Sequence, residues 1–150
     1  MSTRREFLRA SGVALAAVVA GRPAALPAPI RITVYKTPTC GCCKGWVSHM
    51  EKNGFTAVVH DLPNLDDTRK TLRVPASLQS CHTAVVGGYW IEGHVPADLI
   101  KRLLAEKPAL IGLAAPGMPQ GSPGMETGVK DRYDVIAVDR NGKTRVYASR

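Results

Sequence analysis

Three thiols stand within four residues at Cys40-Gly41-Cys42-Cys43, and a fourth, Cys81, is followed directly by His82. Cys40 and Cys43 have the Cys-x-x-Cys spacing at which thiol-disulfide oxidoreductases exchange electrons. In that chemistry a helix N-terminus stabilises the attacking thiolate. Cys42 does not fit such a pair. It adds a Cys-x-Cys pair and a vicinal pair, so three soft donors can converge on one side of a turn. Such a set suits Cu(I), zinc or an iron–sulfur cluster. A purely structural pair of disulfides is hard to build, although four cysteines is an even number. If one clustered thiol bonded Cys81, the other two would have to join over a very short span.

Two thioethers extend the donor set. Met118 and Met125 lie in Gly-Met-Pro-Gln-Gly-Ser-Pro-Gly-Met, a polar, Gly/Pro-rich stretch with no evident core for them to fill. Thioethers select Cu(I) over zinc. The candidate metal ligands are therefore Cys40, Cys42, Cys43, Cys81, His82, Met118 and Met125, with Cu(I) ahead of zinc or iron–sulfur. The competing reading is a thiol-disulfide oxidoreductase with Cys40 as nucleophile and Cys43 as resolving thiol. Met50, seven residues after Cys43, is expected in the core, as are Trp46 and Trp90. His49 is expected to face solvent, His60 to end a strand as a surface or capping residue, and His94 to be a loop histidine, with a ligand on a neighbouring edge as the alternative.

The elements that must position these groups can be read from periodicity and punctuation. Ile30 to Tyr35 alternates as a strand, Lys44 to Asn53 reads as a helix stopped by Gly54, and Phe55 to His60 is a second strand. Asp66 to Arg73 is a short helix ended by Pro75. Thr83–Val86 and Tyr89–Glu92 flank Gly87-Gly88, a strong hairpin signal. Pro96 opens a helix that runs to Lys107. The order is β-α-β-α-β-β-α, that of a minimal thioredoxin-like core in an α/β chain. In such a core the position before the third strand normally holds a cis-proline. Here it offers Cys81 and His82, facing the first thiol cluster. Pro108 to Gly128 carries five Gly and four Pro in 21 residues, and predicts an irregular loop. A C-terminal β-hairpin over Tyr133–Val138 and Thr144–Ala148 should tie that loop down as a lid rather than leave it as a tail.

The first 28 residues read as an address. Arg4-Arg5 followed by Phe7-Leu8, the apolar run Val13 to Ala20 and a small-residue segment to Ala28 form the layout of a twin-arginine export signal, with cleavage between Ala20 and Ala28. Residues 29–150 are then the mature, periplasmic domain. The apolar run is shorter than the roughly 20 residues a bilayer span needs, so no stable membrane span is expected after cleavage. The full chain carries a net charge of +8, and losing four Arg and one Glu with the signal leaves +5. That mild balance, with an aromatic fraction of only 5%, gives no support to nucleic-acid binding. A hydrophobic fraction of 45% is ordinary for a globular domain.

Four segments together carry a resemblance to a known family: Thr37-Pro38-Thr39-Cys40-Gly41-Cys42-Cys43-Lys44-Gly45-Trp46, Ser80-Cys81-His82-Thr83-Ala84, Glu92-Gly93-His94-Val95-Pro96-Ala97, and Gly117-Met118-Pro119 with Gly124-Met125-Glu126. They are similar to the bacterial periplasmic, thioredoxin-like metal-binding proteins with a Cys-x-Cys-Cys motif, formerly a domain of unknown function, which include the CopG-type copper-resistance proteins. The resemblance covers about residues 30 to 149. It implies copper binding in metal tolerance, with the Cys-x-Cys-Cys thiols as central ligands. A copper efflux or chaperone protein of the periplasm is the expected protein partner, and coupling of copper to thiol redox chemistry is consistent with thiolates as electron donors.

Overall fold

Strand β1 (Ile30–Lys36) buries alternate residues, Ile32, Val34 and Lys36, as a half-covered strand must. It belongs to a computed structural model that describes residues 28–150. The export signal read at residues 1–28 lies, but for Ala28, outside the described residues. After β1 come α1 (Gly41–Lys52), β2 (Phe55–Asp61), α2 (Asp66–Leu72), a short 3₁₀ turn (Ala76–Leu78), β3 (His82–Val86), β4 (Tyr89–Gly93), α3 (Ala97–Glu106), β5 (Leu110–Ala115), β6 (Asp134–Asp139) and β7 (Thr144–Ser149). The strands form a single seven-stranded sheet in the order β2-β1-β3-β4-β5-β6-β7. β2 runs parallel to β1, and β5 parallel to β4; the other neighbours are antiparallel.

Two faces of the sheet are covered differently. Trp46 and Met50 of α1 and Leu99, Ile100 and Leu103 of α3 pack with Ile32, Val34, Ile91, Leu113 and Val135 into the main core. On the opposite face Val74 and Leu78, after α2, pack with Trp90, Ala114 and Val138. The alternation Trp90/Ile91 and Leu113/Ala114 is thus the pleat distributing side chains between two layers. Met50, Trp46 and Trp90 are buried, as expected.

The element order from β1 to α3 follows the reading of the sequence, and two boundaries differ in ways that matter. Helix α1 begins at Gly41, not Lys44, with Cys40 as N-cap, so the cysteine motif itself forms the first turn. The second difference is β5, within the stretch read as irregular. Leu110-Ile-Gly-Leu-Ala-Ala115 is a continuous apolar run paired on both sides, which is the signature of an interior strand rather than an alternating one. Its Gly112 reads as a breaker in sequence, yet a side chain there would collide with the Trp90 indole, so the glycine makes room for packing. The irregular loop is accordingly shorter, at residues 116–133.

Candidate metal centre

Strand register gathers the ends of four strands at one edge. Lys36 at the end of β1 pairs with His82 at the start of β3, Thr83 pairs with Glu92, and Gly93 at the end of β4 pairs with Ala115 at the end of β5. The segments that leave these ends carry Cys40, Cys81, His94 and Met118. The chemistry of the chain is therefore collected by sheet geometry, although its residues span positions 40 to 118.

Helix α1 supplies three thiols from its first turn. Cys43, Trp46 and Met50 lie on its buried face, while Cys40 and Cys42 are partly exposed. The Cys40 and Cys43 sulfurs are joined as a disulfide with Cα atoms 5.3 Å apart, and Cys42 and Cys81 are free thiols. Cys42 Sγ sits between the two halves of the site, 3.6 Å from Cys40 Sγ and 3.8 Å from Cys81 Sγ. Cys43 Sγ lies 3.6 Å from the Cys81 carbonyl oxygen.

The second half of the site is built around Cys81. Its sulfur is 3.4 Å from His82 Nδ1 and 2.9 Å from His94 Nε2. Two donor groups result, Cys40–Cys42–Cys43–Cys81 and Cys81–His82–His94, each with ligand atoms within 4.8 Å of one another. Cys81 belongs to both. With the Cys40–Cys43 bond reduced, four thiols and two imidazoles fit a soft metal ion, and the cluster is capable of binding one. His94 does lie in the loop between β4 and α3, but it is wholly buried and in contact with Cys81, which matches the lesser reading of it as a ligand on a neighbouring edge. Gly93-His94-Val95 turns directly off β4 beside the start of β3, and only the β3–β4 pairing reveals this. The signal in the sequence was the short Glu-Gly-His-Val-Pro run itself.

Burial sets the protonation of these donors. Loss of hydration pushes the His82 pKa down to about 3, with the neighbouring His94 and Arg69 adding to the effect, and lowers that of His94 as well. Both rings are thus neutral at physiological pH and offer a lone pair. The Cys81 thiol is pushed up to about 12, first by burial and then by the adjacent Cys42. A metal ion that binds there must displace its proton. The Trp46 ring lies 4.4 Å from the His82 ring, centroid to centroid, and its Nε1 donates to the Val95 carbonyl at 2.9 Å. This contact walls the imidazole off from the core and fixes the segment after His94.

The Gly/Pro/Met loop lies over α1 as the sequence predicted for a lid. A side chain on Gly124, at φ +91°, would run into the Cys42 carbonyl oxygen and the Trp46 backbone nitrogen, and one on Gly45 would run into the Gly124 Cα. Only two glycines permit that approach. Ser122 of the loop is fully buried, and Ser80 Oγ donates to the loop's Gly117 carbonyl. Met118 is 54% exposed and lines, with Ser80, Cys81 and Gly117, a depression of about 240 Å³ that opens on the Cys81 thiol. Met125 is half-buried. His49 is a correction to the sequence reading, since it is not directed to solvent. Its Nε2 accepts the Ala97 N–H at 3.2 Å and so caps α3, and burial lowers its pKa. His60 is exposed and stacks on Tyr35, in line with the surface role read for it.

Comparison with known proteins converges on this geometry. A family model described as "Protein of unknown function, DUF411" matches residues 78–125, the span from the turn before Cys81 to Met125. Two solved structures, named "Copper resistance protein copG- Form 1" and "Copper resistance protein copG- Form 2", each superpose with a TM-score of 0.78 at 45% sequence identity. Each match covers 81% of this chain and 98% of the other. No curated protein matches the chain. At that identity over almost the full length of the matched chains, and with the DUF411 signature on the half of the site that holds Cys81 and Met125, the chain belongs to the family of the copper resistance protein CopG.

Proposed function

We propose that this protein captures copper as Cu(I) in the bacterial periplasm, as part of metal tolerance. The observation that carries the reading is that Cys81 is shared by two adjoining donor groups, one of thiols and one of a thiol with two imidazoles. A thiolate in that position can bridge neighbouring ions, so the site suits more than one copper. Cys40, Cys42, Cys43, Cys81 and His82 are the ligands read from the sequence, and His94 joins them on its 2.9 Å contact. Met118 stands at the mouth as the thioether an incoming ion meets first, and Met125 serves the same loop. The element order and the β2-β1-β3-β4 portion of the sheet, with the thiols at the start of α1, support a thioredoxin-like core extended by β5–β7. The Arg4-Arg5 signal supports export through the twin-arginine route, and copper would be exchanged with a periplasmic efflux or chaperone partner.

The Cys40–Cys43 bond favours a redox component as well. Two Cu(II) ions reduced to Cu(I) take up the electron pair released when two thiols join, and two protons leave. A dithiol reductant that gives up two electrons and two protons, itself becoming a disulfide, restores both thiols as ligands. A plain thiol-disulfide oxidoreductase is the alternative, and Cys42 separates the two. An anaerobic Cu(I) titration of the reduced protein against a chromophoric chelator is the test. Retention of one or more equivalents, lost on Cys42→Ser, supports the copper reading. If the chelator keeps all the copper, that reading is wrong and the oxidoreductase reading, which predicts that Cys42 is dispensable to a Cys40/Cys43 couple, takes its place.

A further inference from the structure

The segment that carries Cys81 is gripped from the face of the sheet opposite α1. Arg69 of α2 donates through Nη2 to the Ser80 carbonyl and, at 2.6 Å, to Glu92 Oε1, which also receives Arg69 Nε at 3.1 Å. The same Glu92 oxygen accepts the Ser80 N–H at 2.7 Å, and Glu92 Oε2 accepts the Thr83 hydroxyl at 2.5 Å. Both backbone polar groups of Ser80 are thus taken, and Thr83 is pinned to the same carboxylate. Cys81 and His82 are the two residues between these fixed points. At the other side of Ser80, a Cβ on Gly93 would strike the Ser80 Cβ and the Ala115 carbonyl, so the loop is seated against β4 and β5 as closely as backbone allows.

The pair is costly for a surface function. Glu92 is fully buried and the Arg69 side chain is 11% exposed. A buried ion pair contributes little net stability relative to apolar residues of the same size, because two ions lose their hydration. Helix α2 buries none of its residues fully, and it is linked to the sheet by this guanidinium and by the half-buried Leu72. What the arrangement does secure is geometry, through hydrogen bonds that converge on the short stretch around Cys81.

We propose that Arg69 and Glu92 are positioning residues for metal capture, holding the stretch from Ser80 to Thr83 so that Cys81 Sγ meets His94 on one side and Cys42 on the other. The inference rests on the copper-binding reading of Cys81 and extends it to a pair that touches no metal. Residues that orient ligands from behind typically cost ~10–100-fold in metal affinity when replaced.

The test is a double-mutant cycle, read by anaerobic Cu(I) competition with a chromophoric chelator on the reduced protein. Arg69→Met combined with Glu92→Gln removes both charges together, so no lone ion is left buried. It is measured with Cys81 present and in a Cys81→Ser background, with far-UV circular dichroism recorded for every variant. The expected result is a loss of ~10–100-fold when Cys81 is present and under about twofold when it is absent, the non-additivity that marks residues acting through one another. Arg69→Lys keeps the charge without the planar fork and should recover part of the affinity. If the neutral pair does not fold, Thr83→Val deletes one hydrogen bond to Glu92 and should give a smaller loss with the same dependence on Cys81. Equal losses in both backgrounds, or none in either, overturn the inference while the copper reading stands. If Cys81→Ser itself leaves Cu(I) affinity unchanged, the copper reading of Cys81 falls and the inference falls with it.

Discussion

The two halves of the site are made by opposite means. The Cys40–Cys43 half is local: one N-cap and the first turn of one helix place three sulfurs together, whatever the rest of the chain does. The Cys81–His82–His94 half is assembled from the entry to β3 and the exit of β4, and it is held by the ion pair that Arg69 of α2 makes with the buried Glu92 of β4. The first half is partly exposed, free of imidazole and able to close on itself as a disulfide. The second is more deeply buried, with both imidazoles fully covered and Cys81 partly exposed, mixed in donor type and locked in place. A local motif is quick to form and chemically versatile; a tertiary one is slower to specify but fixes which atoms face each other. Cys42, within 4 Å of a sulfur on each side, is where they join.

This contrast orders the expected effects of breaking the site. Cys42→Ser should be the largest, because it severs both halves: a Cu(I) affinity loss beyond the ~10–100-fold typical of a supporting residue, read by chelator competition. Trp46→Ala attacks the wall behind His82 and should cost about 3–5 kcal/mol of stability as a large buried ring is removed, measured by chemical denaturation of the metal-free protein. His94→Ala should weaken copper binding by ~10-fold, and His49→Ala by far less, since His49 caps a helix and touches no thiol. Equal effects of the two histidines would remove His94 from the ligand set. Gly124→Ala forces a side chain against the Cys42 carbonyl at a positive φ, and a cost of about 1–3 kcal/mol should appear as faster hydrogen exchange in the loop.

Protonation sharpens the same comparison. His82 and His94 have pKa values below the ordinary 6.5, so between the folded and unfolded values the unfolded chain binds more protons. Stability of the metal-free protein should therefore be full above pH 6.5 and fall as the pH drops from there toward 3. Cys81 behaves in the opposite sense. Its pKa of about 12 lies above the usual 9.0, so its contribution is present below pH 9 and lost as the pH rises toward 12. At neutral pH a metal must expel the Cys81 proton, and log K for Cu(I) should rise by about one unit per pH unit from this group alone. Titration calorimetry in buffers of differing ionisation enthalpy counts that proton. A slope of log K against pH lower by about one for the Cys81→Ser variant than for the native protein would place that proton at Cys81.

Much of the fold was legible because its signals are local. Alternation marked β1, Gly54 set off β2 from the helix before it, Gly87-Gly88 marked the β3–β4 hairpin, and Pro96 and Pro108 framed α3. Strand β5 escaped because counting Gly and Pro over a window treats Gly112 as a breaker, whereas here it is the surface on which Trp90 lies. The cysteine motif was legible as chemistry from residue type and spacing alone, since soft donors two and three residues apart converge on any helix start.

What the sequence by itself determined is the donor chemistry: four thiols, an adjoining histidine and two thioethers in a stretch rich in Gly and Pro. What only the tertiary structure decided is which imidazole faces which sulfur, and under what field. His49, His60, His82 and His94 are the same side chain four times over, yet one caps a helix, one stacks at the surface and two are buried beside Cys81. Strand register and burial set those differences, and both are properties of residues far apart in the chain, which no local pattern encodes.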